Sequence, residues 1–191
     1  MATVRSSDKT ALMVVDVQSG VMQECANAAQ TIANVARTVE RARAAQVPVI
    51  WVQHESDELK RDSDAWQWVP ALVPAAGEAR VYKQFNSAFE QTNTDELLAQ
   101  AGVSHIVLAG AQSNWCIRAT AYGALERGYD LTLVKDAHTT SDLDLGNGTR
   151  IDAATIVRDL NVTMKWLQYP GRRNAIAAAE EVVFGGTGGN G

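Results

Sequence analysis

The chain of 191 residues holds only two cysteines, Cys25 and Cys116. Two are too few for the disulfide framework of a small secreted domain, so each thiol is read from its own surroundings. No stretch approaches the ~20 consecutive apolar residues of a membrane-spanning helix. The opening MATVRSSDKT lacks the apolar segment of a secretory signal, which predicts a cytoplasmic location. Basic residues are the minority, 17 Lys and Arg against 22 Asp and Glu, for a net charge of -5. No Lys/Arg run stands out, which excludes the usual electrostatic footprint of a nucleic-acid partner. No internal repeat is present. What remains, 46% hydrophobic and 20% charged residues, is the composition of a globular chain long enough for one sheet-centred domain. That domain is expected over residues 1–184, with 185–191 a flexible glycine-rich tail.

Short apolar runs that end at polar residues set the organisation. Ala11–Val15 ends at Asp16 and Val47–Val52 at Gln53 and His54, while a short strand, Ala79-Arg80-Val81-Tyr82, leads to Lys83. His105–Ala109 runs into the turn Gly110–Asn114, and Leu131–Val134 ends near Asp136. Such runs suit strands buried on both faces of a parallel sheet. Helical spacing appears over Cys25–Ala45, Asp95–Ala101, Trp115 to Gly128 and Asp152–Leu160. Val162–Leu167 is expected as a sixth strand, and Asp142–Thr149 as a polar loop. Residues 55–77, with Pro70, Pro74, Trp66 and Trp68, form a long connection of the kind that often carries function. Alternation of strand and helix predicts an α/β fold: an open, doubly wound, mainly parallel six-stranded sheet with helices on both faces, a Rossmann-like three-layer arrangement. Ligands of such sheets bind beyond the carboxyl ends of the strands, where strand order reverses. Asp16, His54, Lys83, Cys116 and Asp136 are therefore expected on one rim.

Cys116 falls in the first turn of an expected helix, where free N–H groups favour an anion and would make the thiol more acidic. The alternative is a small buried side chain packing helix on sheet. Cys25 opens an amphipathic helix with no charge aimed at it and reads as structural. Asp16 must reach solvent or find a cation, and Lys83 is such a cation unless it is simply solvated. Beside the thiol, Asp16 has the chemistry to take its proton and return it to a leaving amine.

The motifs ALMVVDVQ, VYKQFNSAF and AGAQSNWCIRATAYGALERGYDLTLVKDAHTT resemble those of the isochorismatase-like cysteine hydrolases, in order, from about Ala11 to Leu167. The resemblance implies a catalytic triad of Asp16, Lys83 and Cys116. It implies a cysteine-dependent amidohydrolase that cleaves a C–N bond of a small amide, ureide or lactam through a thioester, a streptothricin-type lactam among the candidates. It also implies a non-proline cis peptide at Ala111–Gln112 and an oxyanion hole made by the backbone N–H groups of Gln112 and Cys116. Dimers or tetramers are usual in the family, so a homo-oligomer is expected. Alternatives are a hydrolase of an ester or other C–X bond on the same scaffold, or a small-molecule binder without catalysis.

One departure bears on cofactors. Nicotinamidases of the family carry an Asp-x-His metal cluster after the second strand, where this chain reads Gln53-His54-Glu55-Ser56-Asp57 without the second histidine. Neither a metal nor another cofactor is expected, since zinc needs several correctly spaced ligands. Gln18, His54, Phe85, Asn86, Phe89, Trp115 and His138 are expected to contact substrate, with core packing the competing role of each aromatic. Trp66 and Trp68 either cap the site or anchor the long connection.

Overall fold

The computed structural model describes residues 2–184; the glycine-rich segment 185–191 lies outside the described residues. Strands β1 (Lys9–Val15), β2 (Val49–His54), β3 (Ala79–Lys83), β4 (Val103–Ala111), β5 (Asp130–Thr139) and a last strand at Asn174–Ala177 form one sheet. Every neighbouring pair in it is parallel. In β1 all residues but Lys9 are buried, as the continuous apolar run required. Its side chains alternate between two cores. Met13 and Val15 pack with Leu98, Leu125 and Leu160 on one face, and Leu12 and Val14 with Val35 and Val39 on the other. The first face is covered by helices α3 (Thr94–Gln100), α4 (Arg118–Glu126) and α5 (Ala153–Trp166), the second by α2 (Ala28–Ala44). These layers are the expected three. A four-residue helix, α1 (Ser19–Met22), and an antiparallel hairpin of β6 (Leu143–Asp144) with β7 (Arg150–Ile151) complete the elements; the last strand is β8.

The order β3-β2-β1-β4-β5-β8 reverses between β1 and β4. There the two backbones come close. A Cβ on Gly110, whose φ is +131°, would lie 1.9 Å from the Val15 carbonyl oxygen, so only glycine fits.

The expected sixth strand at Val162–Leu167 is corrected to helix. Ala153, Ile156, Leu160 and Met164 continue the three-to-four-residue stripe to Trp166, and Asp152 caps the start by accepting from the Thr155 N–H at 2.7 Å. The chain then turns, and Asn174–Ala177 pairs with Leu131–Val134. Strand β5 also runs past Asp136 to Thr139, with His138 paired to Gly110 inside it. Part of the expected polar loop is the β6–β7 hairpin.

Candidate active site

Four of the rim residues converge. Lys83 ends β3, His54 ends β2, and Asp16 directly follows β1 in the left-handed region, at φ +51°, which a non-glycine residue holds only under constraint from its surroundings. Cys116 lies in a π-helical turn, Ser113–Ile117, that leads into α4. The Ile117 N–H reaches back to the Gln112 carbonyl at 3.1 Å, and the Ala111–Gln112 peptide is cis. Such turns recur at functional sites.

Lys83 Nζ is the hub. It sits 2.6 Å from Asp16 Oδ2, and donates to Cys116 Sγ and His54 Nδ1, each at 3.2 Å. Lys83 is 2% exposed and Asp16 1%. The ion pair is close but not aligned as a directed hydrogen bond. Both Asp16 carboxylate oxygens are buried without a hydrogen-bond donor, an arrangement that costs energy unless another group supplies one. Cys116 Sγ also lies 3.8 Å from Asn86 Oδ1. The Gln112 N–H donates to no acceptor among the described residues.

The electrostatics depart from the expectation of an acidic thiol. Burial, and next the Asp16 carboxylate, push Cys116 up to about 12, while Lys83 pulls the other way. The thiol is buried and the turn is not an open helix terminus, so desolvation outweighs any dipole. For Lys83, burial alone would lower the pKa, but Asp16 and Cys116 together raise it. His54 is lowered by burial and by Lys83, which leaves its ring neutral near pH 7 to accept from the ammonium.

Asp16, His54 and Cys116 offer ligand atoms that all lie within 4.8 Å of one another, a grouping with metal-binding chemistry. Those same three groups face the Lys83 ammonium. Lysine thus supplies the positive charge that these three groups face.

These groups floor a cavity of about 400 Å³ lined by Asp16, His54, Asn86, Gln112, Trp115 and Cys116. Gly20, Val21, Glu24, Glu58, Leu59 and Ala65 form the rest of its wall. Of the expected substrate contacts, His54, Asn86 and Trp115 line it and four others do not. Gln18 is fully buried and acts as a clamp: its amide donates to the His54 and Trp66 carbonyls, both at 3.0 Å, and accepts from the His54 N–H at 2.9 Å. Phe89 is core, stacked 6.0 Å from Tyr129. Phe85 is 44% exposed, outside the cavity wall. His138 is buried between Ser113 Oγ at 2.8 Å and Asn161 Oδ1 at 3.1 Å, and burial lowers it to about 4. It braces the turn that carries Cys116 from behind, and faces a larger groove of about 650 Å³ between α2 and α5 that contains none of the converging rim residues. Trp66 and Trp68 anchor the connection, against Tyr82 at 5.8 Å and Trp51 at 5.0 Å.

The wall residues not foreseen come from two places. Gly20 N–H donates to Ala65 O at 2.8 Å, and a Cβ on Gly20 would lie 2.9 Å from both Ala65 and Leu59. The missing side chain lets the long connection fold down beside Cys116. No local pattern in residues 55–77 announces that contact.

A six-stranded parallel sheet with an aspartate, a lysine and a cysteine joined at its reversal point defines an α/β protein built around a buried thiol. The isochorismatase domain profile matches residues 10–155, and the chain belongs to the isochorismatase family. A streptothricin hydrolase of Streptomyces noursei is 33% identical over 144 residues, covering 72% of this chain and 57% of that relative. A secreted isochorismatase effector of Verticillium dahliae is 28% identical over 160 residues, 80% of this chain and 82% of the relative. Among solved structures, an isochorismatase from Pseudomonas putida superposes with a TM-score of 0.80 at 27% identity, covering 91% of this chain and 89% of the other. No helix among the described residues is long and apolar enough to cross a membrane.

Proposed function

We propose that the chain is a cysteine-dependent amidohydrolase that cleaves a C–N bond of a small amide, ureide or lactam. The observation that carries this reading is the Lys83 ammonium held between Asp16 at 2.6 Å and Cys116 Sγ at 3.2 Å, with Asp16 and Cys116 both lining one cavity. The relative named as a streptothricin hydrolase, and another named as a maleamate amidohydrolase, support amide-type chemistry.

With the thiol pushed up to about 12, the resting enzyme holds Cys116 protonated. Attack therefore couples to proton transfer: Sγ bonds to the carbonyl carbon while Asp16 accepts the thiol proton. The carbonyl oxygen becomes an oxyanion, received by the Gln112 and Cys116 backbone N–H groups. Collapse breaks the C–N bond, and Asp16 passes its proton to the departing amine. Water then attacks the thioester with Asp16 as base, releasing the carboxylic acid and restoring the thiol. Lys83 holds Asp16 in place and stabilises the negative charge that develops on sulfur.

The test is to quench the enzyme with acid during turnover of a hydrolysed amide and map adducts by mass spectrometry. An acyl group on the Cys116 peptide is expected. Turnover with no such adduct, undiminished in Cys116→Ala, would remove the thioester route.

A further inference from the structure

The cavity beside Cys116 carries uncompensated negative charge. Lys83 balances Asp16, the Cys116 thiol is protonated and His54 is neutral, which leaves Glu24 and Glu58 as the remaining ionisable wall residues. Neither glutamate enters an ion pair among the described residues. The arginine nearest in sequence is turned elsewhere: Arg61 binds Glu55 at 2.5 Å and lies over the Tyr82 ring at 4.3 Å. The same stretch adds Asp57, Asp62 and Asp64 against Lys60, so its field reinforces the glutamates.

Two further observations point to a cationic ligand. The residues that line the cavity include no lysine or arginine, so nothing among them offsets the glutamates. Trp115 is 49% exposed on the wall and offers an aromatic face, to which cations are attracted. A carboxylate-bearing amide, by contrast, would meet two like charges and no free cation.

We propose that the substrate is a cationic amide, ureide or lactam, whose protonated amine or guanidinium group lies away from the scissile bond and is held by Glu24 and Glu58. This rests on the amidohydrolase reading for the bond that is cut, but the charge selection is a property of the cavity and can be measured without turnover.

Cys116 is the built-in probe. In a Cys25→Ala background, its modification rate is compared for a cationic reagent, trimethylammonioethyl methanethiosulfonate, and an anionic one, sulfonatoethyl methanethiosulfonate. Each rate is divided by that of free mercaptoethanol. The cationic reagent should be favoured about tenfold, less at high salt. In Glu24→Gln/Glu58→Gln the preference should fall at least about threefold. Protection against neutral methyl methanethiosulfonate extends the test to ligands: 6-aminohexanamide should protect at concentrations about tenfold lower than hexanamide or the monoamide of adipic acid. A ratio of one or below, a ratio unmoved by the double substitution, or protection by the cationic amide no better than by the other two overturns the proposal. Should Cys25→Ala not fold, the wild-type chain with peptide mapping of Cys116 gives the same ratio. Failure of the whole amide panel to be hydrolysed is a separate result, which sinks the amidohydrolase reading and leaves the charge ratio standing.

Discussion

The surroundings of Cys25 and Cys116 make a controlled comparison. Both thiols are 9% exposed, and burial raises both, Cys25 to about 11 and Cys116 to about 12. Cys25 packs in the core on the α2 side, donates to the Val21 carbonyl at 3.3 Å and accepts from Gln112 Nε2 at 3.6 Å. No cation among the described residues touches it, and it does not line the cavity. Cys116 has Lys83 at 3.2 Å, Asp16 across the same ammonium, and open space in front. Acidity at rest thus fails to separate a candidate nucleophile from a packing cysteine. What separates them is a proton acceptor in reach and room for a carbonyl group.

The largest expected effect tests that distinction directly. Cys116→Ser should lower turnover of a hydrolysed amide by about 10⁴-fold or more, as loss of a covalent nucleophile does. Cys25→Ser should stay within about threefold of the parent. Steady-state kinetics of the two variants side by side decide it, and similar losses would dissolve the contrast.

A smaller effect separates the partners of Cys116 from its burial. Asp16→Asn keeps the shape but removes the base, and should reduce kcat about 10³-fold with little change in KM. Lys83→Met leaves the Asp16 carboxylate buried without its cation, and should cost about 3–5 kcal/mol in urea unfolding. A Lys83→Met protein as stable as the parent would mean that the ion pair is weaker than its 2.6 Å separation implies.

How far these groups were legible in the sequence follows from what each signal encodes. Strands β1, β2, β4 and β5 announced themselves as apolar runs buried on both faces, whereas the edge strand β3 exposes Arg80 and Tyr82 and stood out by its place before Lys83. The sixth was misplaced because Val162, Thr163 and Trp166 carry strand preference, whereas the buried stripe Ile156, Leu160 and Met164 keeps them helical. The true edge strand, Asn174-Ala-Ile-Ala177, is too short and plain to stand out. At the site, Asp16, Lys83 and Cys116 were marked by their motifs. Glu58, Leu59 and Ala65 were not, because they reach the cavity through the fold-back of residues 55–77 over Gly20, a contact distant along the chain, and Glu24 sits just after α1 with no pattern to mark it. Gln18 and His138 drew attention as polar residues beside strand ends, yet one clamps three segments and the other braces the Ser113 turn.

The sharpest form of the comparison turns on the sign of a rate change rather than on its size. A thiol with a raised pKa is protonated below it and supplies little thiolate near pH 8, so both cysteines should react with iodoacetamide at least about tenfold slower than a free thiol, and faster as pH rises. Asp16 is one of the causes that hold Cys116 up, while Lys83 opposes it. Replacing Asp16 by Asn removes the raising charge and leaves the ammonium facing sulfur alone. Cys116 should then alkylate several-fold faster in the Asp16→Asn protein than in the parent, although that protein has lost its turnover. Cys25, whose raising influences are burial and Glu24, should not change. Peptide-resolved alkylation across pH 7 to 10 gives both rates in one experiment. A Cys116 that slows in Asp16→Asn would mean that the carboxylate acts as the thiol's base even before a substrate arrives, and the proton would then move ahead of the attack instead of with it.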